Sequence, residues 1–405
     1  MATTVRSIGA MPFQGGSFNT DKTGHGMVRL STSRMVWLYY QTSPNWLAAS
    51  VIDVSGGITS QGTATLTNQQ LLMPLTQSNY MTCARINQTT FMMMTGVYTG
   101  NMSWYVFEVD PQGVFTRVDM GQFGFGTTTT AAALSTFAQT NFKIVELKDN
   151  LVMYVAQGTN GSSISTTQGV KGTYNTTTKT MTWDVAPTIL FSNLINNCEI
   201  TARPIPGRDL TLIQHRYFSS GVGELRGATG VVINNQTGAI QVPWNKLPVT
   251  TANIGLGDMV PLPGDRMAYL TSNYSIAWVS IDYTAGSFIS LGSSGFTNVT
   301  AIDTAGHYLL PLTTDYVLKM TRNSLSNPVN FPHRFKVIRR VDQNMNEQSA
   351  ASSQNGNTGF SLNGTPTTYA NFHQTYPEFI DGKVVWFGLD RTNNQFSWTV
   401  VGLEP

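Results

Sequence analysis

Five histidines, two cysteines and 22 carboxylates are the side chains of this 405-residue chain that could hold a metal or move a proton. His25, His215, His307, His333 and His373 form no His-x-x-x-His pair, so the spacing that seats zinc on one helix face is missing. Each reads as an ordinary surface or turn histidine. Cys83 and Cys198 lie far apart and match no metal spacing; they read as two half-buried thiols rather than a disulfide framework. No Gly-x-Ser-x-Gly elbow and no phosphate-cradling glycine loop is present. Glycosidase chemistry needs two carboxylates facing one bond, and only folding can bring such a pair together here. Asp265, Asp315 and Asp381 recur after an aliphatic residue, where an aspartate is predicted to bond its own turn backbone. No catalytic, cofactor-binding or metal-ligating residue is assigned, and no cofactor is expected.

The charge pattern narrows the partners. Net charge is +2, with 24 basic and 22 acidic residues, which gives no footprint for a polyanion over the whole chain. One basic run, His333-Arg-Phe-Lys-Val-Ile-Arg-Arg340, reads as a solvated outer strand, and no nucleic acid partner is expected. Trp46, Trp104 and Trp278 fall in equivalent strands, which predicts packing between sheets rather than sugar stacking.

The elements that must position these residues follow from composition and repetition. Charged residues make up 11% of the chain, against about 25% in ordinary domains. Its polar surface is built from Thr, Ser, Asn, Gln and Gly, which suits short strands and tight turns. No apolar run approaches the length of a transmembrane helix. The opening Met1-Ala-Thr-Thr-Val-Arg-Ser lacks the basic start and apolar stretch of a secretory signal, so synthesis and folding are expected in the cytoplasm of the producer.

One unit recurs: a strand ending in an aliphatic residue, a polar turn, a second apolar strand, a loop and a third strand. The clearest copies are Arg203-Pro-Ile-Pro-Gly-Arg-Asp-Leu-Thr-Leu-Ile213 and Val260-Pro-Leu-Pro-Gly-Asp-Arg-Met-Ala-Tyr-Leu270. The aliphatic residues before the turn are Leu30, Ile86, Leu147, Ile205, Leu262, Leu312 and Ile380, spaced by 56, 61, 58, 57, 50 and 68. Third strands run into Asp- and Gly-bearing turns and then a fourth strand, as in Trp104–Val109, Asp-Pro-Gln-Gly and Val114–Val118. The pattern predicts an all-β fold, a seven-bladed β-propeller of four-stranded antiparallel sheets. It forms one domain over 1–405, with blades at about 16–75, 76–138, 139–195, 196–250, 251–297, 298–369 and 370–405. The last unit has three strands, so residues 1–15 are predicted to add the closing strand. The polar stretch 343–360 is read as an extended insert, and 321–332 as a second one.

The first unit ends its third strand in Asp53-Val-Ser-Gly-Gly-Ile-Thr-Ser-Gln-Gly-Thr63. This segment resembles the third-to-fourth-strand hairpin of propeller modules in tailed-bacteriophage virion proteins, of the tail-fibre and tail-associated type. The other units share its outline. The resemblance implies a non-enzymatic structural component of a virion, with other virion proteins as partners and oligomers set by virion symmetry. No shaft or trimerising coiled coil is visible, which favours a compact tail, collar or decoration subunit over a complete fibre. The alternatives are a lectin-like propeller binding a host surface glycan or receptor, and a glycan-processing hydrolase.

Overall fold

The computed structural model describes residues 3–12, 25–42, 45–53, 65–66, 70–74, 80–96, 102–123, 142–159, 165–194, 198–218, 225–243, 259–270, 276–294, 308–311, 316–322, 333–339, 355–356, 376–380, 383–390 and 395–403. These residues are all-β. After β1 (Thr3–Pro12), a first sheet runs through β2 (His25–Arg29), β3 (Arg34–Thr42) and β4 (Asn45–Asp53), with β5 (Thr65–Leu66) and β6 (Gln70–Pro74) both on the far edge of β4. The second is β7 (Tyr80–Asn87), β8 (Thr90–Gly96), β9 (Met102–Val109) and β10 (Phe115–Phe123). The third is β11 (Phe142–Lys148), β12 (Leu151–Thr159) and β13 (Ser165–Asn175), with β14 (Thr180–Trp183) and β15 (Thr188–Leu194) both on β13. Next come β16 (Cys198–Pro204), β17 (Leu210–Phe218), β18 (Leu225–Asn234) and β19 (Ile240–Val242). The fifth sheet holds β20 (Met259–Leu262), β21 (Arg266–Leu270), β22 (Ile276–Asp282) and β23 (Ser287–Ser294). The sixth holds β24 (Tyr308–Pro311), β25 (Tyr316–Arg322), β26 (His333–Arg339) and β27 (Asn355–Gly356). Finally β28 (Tyr376–Ile380), β29 (Lys383–Asp390) and β30 (Gln395–Leu403) are joined by β1, with Thr3 opposite Leu403 and Pro12 opposite Gln395.

Every sheet is antiparallel, six of them as meanders and the seventh with β1 as its outer strand, and the two five-stranded cases are split fourth strands. In the third sheet the split falls at Asp184–Pro187. The Asp184 N–H still bonds to the Lys171 carbonyl of β13 at 2.9 Å, one residue past Trp183, whereas Pro187 has no N–H for the ladder.

Burial grades across the first five sheets, where the side chains are described. Second strands are continuous apolar runs, such as Met35–Tyr39 and Leu151–Ala156, and are buried on both faces. That run-on pattern is what a strand enclosed on both sides requires. Fourth strands carry the exposed large hydrophobics Leu71, Met120, Ile189 and Ile289. Neighbouring sheets pack face to face in chain order, as propeller blades do. Leu30, Val36 and Leu38 of the first sheet meet Phe91, Met93 and Phe107 of the second. Met92, Met94 and Trp104 of the second meet Ile144, Val152 and Tyr154 of the third. The same relation joins the third sheet to the fourth, the fourth to the fifth and the fifth to the sixth.

The repeat markers close the first strands. Leu30, Ile86, Leu147, Ile205 and Leu262 are between 0 and 5% exposed, each at the turn into the second strand. Ile380 ends β28, and Leu312 lies outside the described residues. Of the insert predicted over 321–332, Thr321 and Arg322 belong instead to β25 and 323–332 lies outside the described residues, as does 343–360 apart from Asn355 and Gly356 in β27.

Candidate functional site

The first strand of a meander has one neighbour in its own sheet, so its other edge is free. β2, β7, β11 and β16, the first strands of four successive sheets, together line a cleft of about 810 Å³. Arg29 and Arg85 stand one residue before their markers, so they occupy the same level on adjacent strands. Glu146 holds that level on β11, and Lys143 stands three residues earlier, about 10 Å further along the strand. Arg203 stands two residues before Ile205 on β16. Among the described lining residues there are thus four cations and one carboxylate.

The cleft's mouth is ordered by its own hydrogen bonds. Arg29 Nε donates to the Ser31 carbonyl at 3.1 Å. The Ser31 and Ser33 hydroxyls lie 3.4 Å apart, and the Ser33 N–H donates to Ser31 Oγ at 3.3 Å. Arg85 donates through Nη2 and Nε to Glu146 Oε1 at 2.6 and 2.8 Å, and it also lies 3.0 Å from Asp149. The carboxylate of the cleft is therefore already bound to a cation and ties the second sheet to the third. Cys83 lines the same cleft, half-buried, with its thiol 3.7 Å from the Met27 carbonyl.

Carboxylates elsewhere also bridge sheets. Glu108 accepts from Lys179 at 2.6 Å, and Asp119 accepts from the Met181 N–H at 2.6 Å. Asp265 accepts from Nε and Nη2 of Arg208, the Nε contact being 2.8 Å. This corrects the expectation for Asp265, whose carboxylate was predicted to bond its own turn. The turn is formed instead by left-handed backbone at Gly264 and Asp265, which leaves the side chain to reach the neighbouring sheet. The hydrogen bond from Arg208 holds the Asp265 carboxyl below its ordinary range. Asp315 and Asp381 lie outside the described residues.

Self-capped turns do occur, two turns later in the unit. Asp110, Asn175, Asn234 and Asp282 each end or follow a third strand and accept from backbone N–H groups two to four residues on. The turns then pass through positive φ at Gly113, Lys179, Gly238 and Gly286.

His215 departs from the surface or turn position expected of it. It lies in β17, fully buried, its ring 5.6 Å from Phe191 of the third sheet. The reason is its place in a second strand, where both faces are covered. Burial pushes its pKa down to about 3. The side chains of His25 and His333 and the positions of His307 and His373 are not among the described features. Trp104 and Trp278 are buried in joints between sheets, as their spacing predicts; Trp46 in β4 is only half-buried. Residues His333–Arg339 of the basic run form β26, the third strand of its sheet, paired with β25 throughout and, among the described residues, with β27 at His333 and Arg334; Arg340 lies outside the described residues. Among the described residues no group of three His, Cys, Asp or Glu side chains is placed to hold a metal ion.

No protein-family model matches the sequence, and no curated protein matches it. Solved structures share an outline. Sqt1 of Saccharomyces cerevisiae is 10% identical, with a TM-score of 0.47 over 98% of this chain and 89% of that one. The periplasmic gluconolactonase of Pseudomonas aeruginosa is 10% identical, with a TM-score of 0.47 over 80% of this chain and 84% of that one. The C-terminal WD40 domain of Sif2 is 9% identical, with a TM-score of 0.42 over the full length of both. Likeness at this level carries nothing about activity.

Proposed function

We propose that the chain is a non-enzymatic structural and interaction module whose sheets close into a seven-bladed ring. We place it as a subunit of a bacteriophage particle, in the tail, the collar or a fibre-associated decoration. The observation that carries the scaffold reading is the use of carboxylates at the joints. Glu108, Asp119, Glu146 and Asp265 each hold a group of a neighbouring sheet. A side chain held this way fixes one sheet against the next. Ring closure is supported by the β1–β30 pairing, which gives β30 a partner on its outer edge and ties the two chain ends together. The virion assignment rests on the resemblance of the Asp53–Thr63 segment.

Three experiments test this reading. Mass spectrometry of gradient-purified particles from the source is expected to find the chain in stoichiometric amount, and its absence from such particles ends the virion assignment. Deleting residues 1–13 is expected to lower the melting temperature or cause aggregation through the edge of β30. A truncated protein that stays monomeric with unchanged stability breaks the ring reading. No turnover of sialosides or polysaccharides is expected, and turnover abolished by one Asp or Glu substitution would overturn that.

A second reading, a carbohydrate- or receptor-binding module, is favoured by one observation: the cationic and hydroxyl-bearing lining of the cleft among the first strands. Binding on a glycan array supports it, and a flat array ends it.

A further inference from the structure

The turn between β9 and β10 carries the one Asp-Pro bond of the sequence, Asp110–Pro111, and both residues are exposed. Asp110 is nevertheless firmly held. Its N–H donates to the Val114 carbonyl at 3.0 Å, and its Oδ1 accepts from the Val114 N–H at 2.8 Å. Its carbonyl oxygen accepts twice, from the Gly113 N–H at 3.0 Å and from Nη2 of Arg34 in the first sheet. Gln70 of β6 steadies the same turn, donating to the Gly113 carbonyl and accepting from the Phe115 N–H at 3.1 Å. Two donors on one carbonyl oxygen, one of them a guanidinium, form an arrangement that stabilises an oxyanion. The bond beneath that oxygen is a weak one. Its nitrogen is the tertiary amide of a proline, which takes a proton and departs more readily than a secondary amide does. The second carboxyl oxygen, Oδ2, is tethered within the same residue as the carbonyl carbon, and a nucleophile placed this way reacts as an intramolecular one.

We propose that the chain cleaves itself between Asp110 and Pro111. Asp110 Oδ2 attacks the Asp110 carbonyl carbon and closes a cyclic anhydride through Cα, Cβ and Cγ. The negative charge that gathers on the carbonyl oxygen faces Arg34 and the Gly113 N–H. The carbon–nitrogen bond then breaks, and the Pro111 nitrogen takes a proton from the solvent to which the turn is open. One water opens the anhydride, restoring the Asp110 side chain and leaving a new α-carboxylate beside Arg34. The net change is hydrolysis of one peptide bond. Both products stay assembled, because β9 and β10 remain paired from Phe115 opposite Val109 to Phe123 opposite Met102. The event occurs once per molecule. It goes beyond the scaffold reading and implies no turnover of an added substrate.

Mass spectrometry of the purified full chain, kept folded at about pH 6 with protease inhibitors, tests it. Under denaturing conditions two fragments are expected to accumulate, 1–110 and 111–405, the second beginning at Pro111. Under native conditions the molecule is expected to stay whole and to be heavier than the parent by one water. Arg34→Gln is expected to slow cleavage at least about tenfold, the effect of losing one oxyanion donor. Asp110→Ser, whose hydroxyl can still cap the turn, is expected to abolish it. Melting curves show which variants are folded. Should neither fold, the parent chain still decides. In urea the two donors are lost, and the bond is expected to break at least about tenfold more slowly than in the folded chain. Four results overturn the proposal: no fragment beginning at Pro111 after about a month, equal rates in folded and unfolded chain, a folded Arg34→Gln protein that cleaves at the parent's rate, or a folded Asp110→Ser protein that still cleaves there.

Discussion

Gln214 and Arg208 both reach from the fourth sheet to the fifth, one inside the joint and the other at its rim. Gln214 is fully buried in β17. Its amide donates to the Met259 carbonyl and accepts from the Met259 N–H at 3.1 Å. The side chain thus takes the place of a neighbouring strand for the first residue of β20, whose other edge pairs with no strand among the described residues. Arg208 sits in the turn between β16 and β17 and meets Asp265 in the turn between β20 and β21, with half of its own side chain exposed. Both links look equally specific. They differ in what replaces them when broken: nothing for Met259, and water for Asp265. Burial, not geometry, sets which link the fold depends on.

Gln214→Leu breaks the comparison most directly. It leaves two buried backbone groups without partners, and the expected loss is about 3 kcal/mol, from about 1–3 kcal/mol per orphaned group. Urea unfolding measures it, and a loss as small as that of Arg208→Ala would show that burial does not rank the links. Gly121→Ala probes the interior in a second joint. A Cβ there would stand 2.5 Å from Trp104 Cζ2, and Trp104 is itself packed against Trp183. Overpacking of this kind is expected to cost about 2 kcal/mol. An unchanged unfolding midpoint would mean that the indole has room to move.

The same contrast explains what the sequence made legible. Turn chemistry is local, so Pro-Ile-Pro-Gly207 and Asp282 to Gly286 announce their turns within a few residues, and the markers fall at the ends of first strands. Alternation and run-on apolar stretches likewise reveal strands one at a time. Gln214 and His215 sit inside such a stretch, between Ile213 and Arg216. Nothing local tells a buried polar side chain from an exposed one there; the neighbouring sheets decide. The cleft is a starker case. Arg29, Arg85, Lys143 and Arg203 are separated by about one repeat each, and each alone is an ordinary strand residue. The available signal was the cation one or two positions before the marker in Arg29, Arg85 and Arg203, visible only once the units are laid in register. Asp265 shows the opposite error, since a residue type that commonly caps its own turn was drawn away by Arg208 of another sheet.

His215 sharpens the comparison by titration. Its folded pKa is about 3 against an ordinary 6.5, because burial disfavours the charged ring. Between those values the unfolded chain carries the extra proton, so stability rises with pH across that window and falls on acidification. From pH 7 to pH 5 the expected loss from this group is about 2 kcal/mol. His215→Leu is expected to show a correspondingly flatter change in urea midpoint over the same interval. Identical profiles for the two proteins would place the acid sensitivity elsewhere.

The rim gives the smallest effect and the clearest control. The Asp265 carboxyl is held low by its hydrogen bond from Arg208, and both groups face solvent. A carboxylate with a depressed folded pKa contributes stability that is present above its unfolded value, 3.8, and is lost only as pH falls through the lower folded one. Between pH 7 and pH 5 Asp265 is therefore silent, where His215 is not. Arg208→Ala also removes the guanidinium from the Tyr283 ring, whose centroid lies 6.0 Å away. Even so, water and salt screen an exposed pair, and its long side chain regains freedom when released. The expected result is a small fall in melting temperature at low salt that disappears at about 0.5 M salt. Asp265→Asn is expected to follow the parent's pH profile from 7 to 5 and to diverge only below pH 4. A salt-resistant loss as large as that of Gln214→Leu would mean that the two turns lock the sheets together from outside, and the ranking by burial would fail.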